Sequence, residues 1–193
     1  AIYGNNGEGM AITEDTPKNP LTPYAADKLA SEHFLDFYRR QHGLEPVILR
    51  FFNIYGPRQD PSSPYSGVIS IFSERAQKKL PITVYGDGEQ TRDFVYVNDL
   101  VKVLVQAVGE SKPCIEPVNV GFNRSTSVND LAAALSELLG RPLTLNYDAP
   151  RSGDIKHSRA DNSRLLERFA LNSPTCFTEG LGQLLRSIDS GGR

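Results

Sequence analysis

The sequence predicts an α/β fold, the C-terminal part of a doubly wound parallel sheet joined to a small mixed α/β lobe. Three observations carry that reading. Residues 22–43 have the pattern of a strong helix, and the run after it, Pro46-Val47-Ile48-Leu49-Arg50-Phe51-Phe52, is almost continuously apolar, as parallel strands buried on both faces are. The chain opens Ala1-Ile2-Tyr3-Gly4, which reads as the tail of a strand entering a turn, so strand, helix and strand succeed one another. Beyond residue 60 short strands and helices alternate without an internal repeat, as in a lobe wrapped onto that sheet. The expected division is 1–60 for what remains of the doubly wound domain and 61–193 mainly for the lobe, with some segments returning to the sheet. With no initiator Met and no targeting pattern, the opening reads as a start part-way through a longer chain.

Each element has a local cause. The first twenty residues read as loop, with glycines at 4, 7 and 9. Their G-x-x-G-x-G spacing imitates a dinucleotide fingerprint, but no full strand precedes it, and Asn5, Asn6, Glu8 and the later prolines do not open a helix. Thr22 is a good N-cap, Pro23 suits the first helical position, and Gly43 suits the stop. Between them Ala26, Leu29, Ala30, His33, Phe34, Phe37 and Tyr38 keep helical spacing. A helix is expected over 68–79, with strands over 82–85 and 94–97. A helix over 100–108 is capped by Asn98 or Asp99, and a strand follows over 118–120. Ser127 caps a helix over 128–139 that Gly140 closes, and 143–145 is strand-like. Asp161 and Thr178 cap two last helices, and residues 190–193 read as frayed.

Composition narrows the function. Hydrophobic residues at 39% and charged residues at 23% support a folded core. Twenty-one Lys and Arg against 23 Asp and Glu leave a net charge of −2, so the chain has no global field for nucleic acid or an anionic membrane. Any anion must be held by local Arg or Lys. No run reaches the ~18–20 apolar residues of a membrane span; the best, 101–108, carries Lys102 and Gln106. Cys114 and Cys176 lie far apart without a C-x-x-C, and read as buried, reduced and inert thiols of a cytoplasmic protein. His33, His42 and His157 have no triad-like or metal-like spacing, so no metal site is expected.

Tyr24 and Lys28 stand four apart on the first helix and share one face. An ammonium near a phenol stabilises the phenolate and makes the tyrosine usable as a general base near neutral pH. Any helix can hold such a pair, and the flanking residues add the distinction. Pro23-Tyr24-Ala25-Ala26-Asp27-Lys28 resembles the P-Y-x-x-x-K segment of the extended short-chain dehydrogenase/reductase family. Twenty-two residues after Lys28, Arg50-Phe51-Phe52-Asn53-Ile54-Tyr55-Gly56-Pro57-Arg58 resembles the R-x-x-N-x-Y-G-P-R block of that family's nucleotide-sugar epimerases and dehydratases. The segment from Gly86 to Asp99 resembles G-D-G-x-Q-x-R-D-F-x-Y-V-x-D, and Arg151-Ser152-Gly153-Asp154 with Ala160-Asp161 resembles R-x-G-D…A-D. The four blocks stand in the family's order and cover nearly the whole chain.

The resemblance implies a Rossmann-like domain, NAD as cofactor and a nucleotide-sugar substrate, UDP-hexose or UDP-N-acetylhexosamine. Tyr24 and Lys28 are then catalytic, and both also contact the cofactor, with Phe51 and Ile54 along its nicotinamide side. A diphosphate calls for guanidinium forks and amide donors, which points to Arg92, Arg151 and Asn53, while Arg58 serves the diphosphate or braces its own loop. Tyr85 meets the base or packs in its strand, Asp154 faces the ribose or caps a turn, and Val68 and Thr83 belong to the same substrate-binding set. Ser158 matches a position where a bulky Tyr restricts some 4-epimerases to plain hexoses, so a small residue leaves room for an acetamido group. The family commonly forms homodimers through a four-helix bundle to which the Tyr-Lys helix contributes.

By the same resemblance, a Ser or Thr that bonds the reacting sugar oxygen and the glycine-rich cofactor turn belong before Ala1, so the 193 residues alone are expected to be inactive. Dehydratases of the family carry Glu where this chain has Ala1, which favours a 4-epimerase. A dehydratase or reductase on the same fold stays open, as does a non-catalytic module that binds a sugar nucleotide or only oligomerises.

Overall fold

Local signals place the first helix. In the computed structural model, which describes residues 1–5, 9–63, 66–109, 114–151, 153–171 and 173–189, helix α1 spans Pro23–His42. The Thr22 hydroxyl caps it by accepting from the Ala25 N–H at 3.2 Å. Gly43 ends it at φ 66°, a left-handed conformation that glycine adopts without steric cost, and its N–H bonds the Arg39 carbonyl at 3.1 Å.

Strand β1 (Val47–Phe51) runs parallel to β6 (Cys114–Val120), with Leu49 opposite Val118 and Arg50 opposite Asn119. The chain then changes partner. The Phe52 N–H still bonds the Val120 carbonyl at 3.1 Å, but the Asn53 N–H bonds Asp93 at 3.0 Å, and β2 (Asn53–Tyr55) runs parallel to β5 (Phe94–Tyr96). Asn53 therefore sits where a strand leaves one neighbour for another, the kind of crevice in which α/β sheets bind ligands. Further along the chain, β3 (Ile82–Tyr85) lies parallel to β8 (Leu145–Asp148), and β4 (Thr91–Arg92) pairs antiparallel with β7 (Thr126–Ser127).

Three apolar clusters hold these pieces. The largest packs α2 (Val68–Gln77), α4 (Val128–Leu138) and α6 (Phe177–Asp189) around Ile69, Phe72, Ile82, Val84, Leu131 and Leu181. A second lies under α3 (Val97–Gly109) and α5 (Ser163–Arg168), joining Val95, Val103, Val118, Val120 and Leu165. The third is small: Ile2, Tyr3 and Ile12 pack with Leu29 of α1 and with Phe52. Each such side chain contributes roughly 1.5–3 kcal/mol by leaving water, so the first two clusters dominate stability.

Several expectations are corrected. Residues 2–5 form a turn rather than a strand tail, with the Ile2 carbonyl accepting from the Asn19 N–H at 2.9 Å. Strand β1 is only half-buried and Phe51 is exposed, because β6 covers one edge and no second ladder partner stands among the described residues. Helix α3 starts at Val97, directly after β5; Asn98 and Asp99 lie inside its first turn. Strand β8 begins at Leu145, since pairing with β3 and not the Leu143-Thr144-Leu145 pattern sets its place. Asn162 precedes α5, where the Asp161 carboxylate accepts from the Ser163 N–H at 3.0 Å, and Thr178 lies within the first turn of α6. Cys176 is exposed rather than buried. Asn6, Gly7 and Glu8, Ser152, and the expected frayed end at 190–193 lie outside the described residues, as does the Cys114 side chain.

Candidate active site

Two adjoining cavities gather the residues singled out from the sequence. A cavity of about 220 Å³ is lined by Asn53, Val68, Thr83, Tyr85, Arg92, Arg151 and Asp154, which come from the crevice strand, the start of α2, strands β3 and β4, and the loop after β8. A larger one of about 760 Å³ is lined by Tyr24, Lys28, Phe51, Asn53, Ile54 and Ser158. Asn53 belongs to both, so one residue joins the two compartments. All twelve candidate positions therefore face one continuous region. Arg58 lines neither cavity; it holds a left-handed backbone at φ 71° in the turn after Gly56-Pro57.

In the smaller cavity the two arginines are held differently. The Arg92 side chain is largely buried; its Nη2 bonds the Asp154 carboxylate at 2.5 Å and its Nη1 the Thr91 carbonyl at 2.8 Å. Burial pulls the guanidinium below its ordinary pKa, and the neighbouring Asp154 carboxylate opposes that shift. Arg151 is exposed and stacks over the Tyr85 ring with its guanidinium carbon 3.8 Å from the centroid. Two cationic forks thus converge on a pocket that also presents an aromatic face and the Asn53 amide. That set suits a ligand with a diphosphate and a planar base.

In the larger cavity Tyr24 is 54% exposed, and the Lys28 ammonium lies 5.5 Å from its ring centroid and 3.4 Å from the Asp27 carboxylate. Their helix face shares this cavity with β1 and the start of β2. Ser158 also lines it, half-buried and fixed by its N–H to the Thr91 carbonyl at 3.2 Å. His157 of the same loop bonds the Thr91 hydroxyl at 3.1 Å, so it braces the loop beside Arg92.

The sequence left the roles of other residues unread. The Gln90 amide lines the smaller cavity and donates to the Tyr85 carbonyl at 2.8 Å, which ties the strand end to the turn. Asp93 is fully buried and accepts from the backbone N–H groups of Phe122, Asn123 and Ala160 at 3.0–3.1 Å. Burial pushes its carboxyl above the ordinary range, and the backbone donors oppose this. Asp93 sits between Arg92 and Phe94 and so pins the Arg92 strand to the crevice. Gly121 is required there, because a Cβ would stand 2.5 Å from the Ala160 side chain and 2.8 Å from the Asp93 carboxylate. Both Gln90 and Asp93 lie inside the Gly86–Asp99 motif, where their presence was the only signal.

Comparison with known proteins agrees with this geometry. Residues 1–121 match the NAD dependent epimerase/dehydratase family. The chain belongs to that family. It is 37% identical over 183 residues to a UDP-glucose 4-epimerase of Mycolicibacterium smegmatis, covering 95% of this chain and 58% of that protein. A dTDP-glucose 4,6-dehydratase of Actinoplanes sp. is 30% identical over 183 residues, 94% of this chain and 55% of its own length. Among solved structures, UDP-glucose 4-epimerase of Thermotoga maritima with UDP-glucose superposes with a TM-score of 0.92 at 34% identity, over 100% of this chain and 62% of that one. UDP-N-acetylglucosamine 4-epimerase of Methanobrevibacter ruminantium, in complex with UDP-N-acetylmuramic acid, gives 0.91 at 35% identity, over 98% and 60%. The fold is thus that of the Rossmann-type family members, and the chain spans about three-fifths of the length of these relatives. No helix among the described residues is long and apolar enough to cross a membrane, and none of their His, Cys, Asp and Glu side chains cluster as a metal site.

Proposed function

We propose that the chain is the sugar-nucleotide-binding, C-terminal part of an NAD-dependent nucleotide-sugar 4-epimerase. The observation that carries this reading is the single crevice that joins Arg92, Arg151, Asn53 and Tyr85 on one side to Tyr24 and Lys28 on the other. In this reading the smaller cavity holds the nucleoside diphosphate and the larger one the hexose and nicotinamide. Tyr24 takes the proton from the sugar C4 hydroxyl and returns it after the 4-keto sugar has turned over. Lys28, on the same helix face, favours the charged form of the phenol at that step.

The larger cavity fits a nicotinamide cofactor, since its volume lies within the ~300–1,000 Å³ of small-molecule sites and Phe51 and Ile54 offer apolar surface beside Tyr24 and Lys28. NAD, when bound, supplies the oxidising and reducing power at C4. The main cofactor turn and the Ser or Thr partner are assigned to the part of the relatives that this chain does not span, so the 193 residues alone are read as inactive. A homodimer through α1 is supported by its exposed apolar face, where Phe34 is 65% and Phe37 53% exposed.

Dehydratases among the relatives favour a second reading, that of a 4,6-dehydratase, against which stands Ala1 in place of an acid. Incubating the whole protein with UDP-glucose separates the two. Formation of UDP-galactose supports the epimerase; a 4-keto-6-deoxy product overturns it. Ser158, which lines the larger cavity with Tyr24, is read as leaving space for an N-acetyl group. Ser158→Tyr should then abolish turnover of UDP-N-acetylglucosamine while sparing UDP-glucose, and equal loss on both would remove Ser158 from that role.

A further inference from the structure

The helix that carries Tyr24 and Lys28 is clamped by a polar network that the proposed mechanism does not use. Arg50 of β1 meets Glu32 of α1 fork to fork, Nε to Oε1 at 2.8 Å and Nη2 to Oε2 at 2.7 Å, with side chains only 10% and 17% exposed. Its remaining nitrogen, Nη1, donates to the Tyr3 hydroxyl at 2.7 Å and to the Glu14 carbonyl at 3.0 Å. The Tyr3 hydroxyl donates in turn to Asn119 Oδ1 at 2.7 Å, and the Asn119 backbone N–H donates to the Glu14 carboxylate at 2.7 Å. One guanidinium therefore ties α1, β1, β6 and the N-terminal loop together.

Glu32 stands one helical turn from Lys28 and two from Tyr24, and all three line the larger cavity. At that spacing a carboxylate and an ammonium attract each other. A Glu32 carboxylate released from Arg50 would add to Asp27, already 3.4 Å from the Lys28 ammonium, in drawing that charge away from Tyr24. Arg50 engages both Glu32 oxygens.

We propose that the Arg50–Glu32 pair is a positioning device for Tyr24 and Lys28, seating their helix on the sheet and holding the Glu32 carboxylate away from the Lys28 ammonium. This rests on the reading of Tyr24 as the base and deepens it. The charged and titratable groups facing this region are Asp27, Lys28 and Glu32 from α1, Arg50 from β1, Tyr3, Glu14, Asp15 and Lys18 from the N-terminal loop, and Arg164 from α5.

The test is the pH profile of kcat for UDP-glucose in the whole protein. Arg50→Met should lower kcat by about tenfold and move the acid limb of the profile up by about one pH unit, because a competing carboxylate weakens the support for the phenolate. KM should change by less than about threefold, since the nucleoside diphosphate is held in the other cavity. In Arg50→Met/Glu32→Met the limb should return to its wild-type place, as removing both members of a buried pair leaves no stranded charge. An unmoved limb in Arg50→Met, or a double variant as displaced as the single one, overturns the proposal. If Arg50→Met does not fold, Glu32→Asp, too short to meet the guanidinium as a fork, should move the limb the same way, and a folded Glu32→Asp with an unmoved limb overturns it. Tyr24→Phe assayed alongside separates the two readings. Retained turnover there means that the base is misassigned, whereas an inactive Tyr24→Phe with an unmoved limb in Arg50→Met removes the positioning role alone.

Discussion

The two cavities share Asn53 but are closed to different degrees. Behind the smaller one, Ile82, Val84, Leu131 and Leu135 are fully shielded, and Arg92 is fixed by Asp154 and by the strand that Asp93 pins. Beside the larger one, the apolar strand β1 is half-buried, Phe51 is exposed, and the apolar cluster against α1 is the small one of Ile2, Tyr3 and Ile12 with Leu29. The contrast shows that the residues proposed to hold the diphosphate are positioned by contacts within this chain. The residues assigned to chemistry rest on a thinner shell, in which the Arg50 network replaces apolar packing.

The largest effect expected separates the cavities by role. In the whole protein Tyr24→Phe should cut turnover by ~10²–10⁴, the usual worth of a positioned base, with UDP-sugar affinity nearly unchanged. Steady-state kinetics and calorimetry check both halves, and a loss of affinity equal to the loss of turnover would merge the two roles. Stability tests the difference in closure. Leu131→Ala should cost this chain about 2–5 kcal/mol in denaturant unfolding, whereas Ile48→Ala on the half-buried strand should cost about 1 kcal/mol. Equal costs would show that β1 is as well packed as the cluster around Leu131. The forks are read in binding rather than stability: Arg92→Ala or Arg151→Ala should weaken UDP binding by about 1.5–3 kcal/mol, and Arg58→Ala by less, as calorimetry can read.

Much of this was legible where the cause is local. Thr22, Pro23 and Gly43 mark α1 at both ends, and Ser127 marks α4, where it forms a capping box with Asp130. The candidate site was legible through four ordered motifs, and the structure brings their residues to one crevice. What failed depended on distant partners. Asp99 has the look of a helix cap, yet its carboxylate accepts from the Thr175 N–H at 2.8 Å and pairs with Lys102 inside the helix. Strand β8 takes its place from the β3 ladder, and an apolar triplet cannot announce that. The Arg50 network joins residues up to 116 positions apart, so no window of sequence contains it.

We propose that this chain holds a finished sugar-nucleotide site and an incomplete cofactor site, and titrating the 193-residue chain separately with UDP and with NAD in a calorimeter tests both halves most directly. Saturable UDP binding that Arg92→Ala weakens is expected, with no heat of binding for NAD, since no glycine-rich strand-turn-helix is read in the sequence. Saturable NAD binding, or UDP binding that is absent or indifferent to Arg92→Ala, would contradict it.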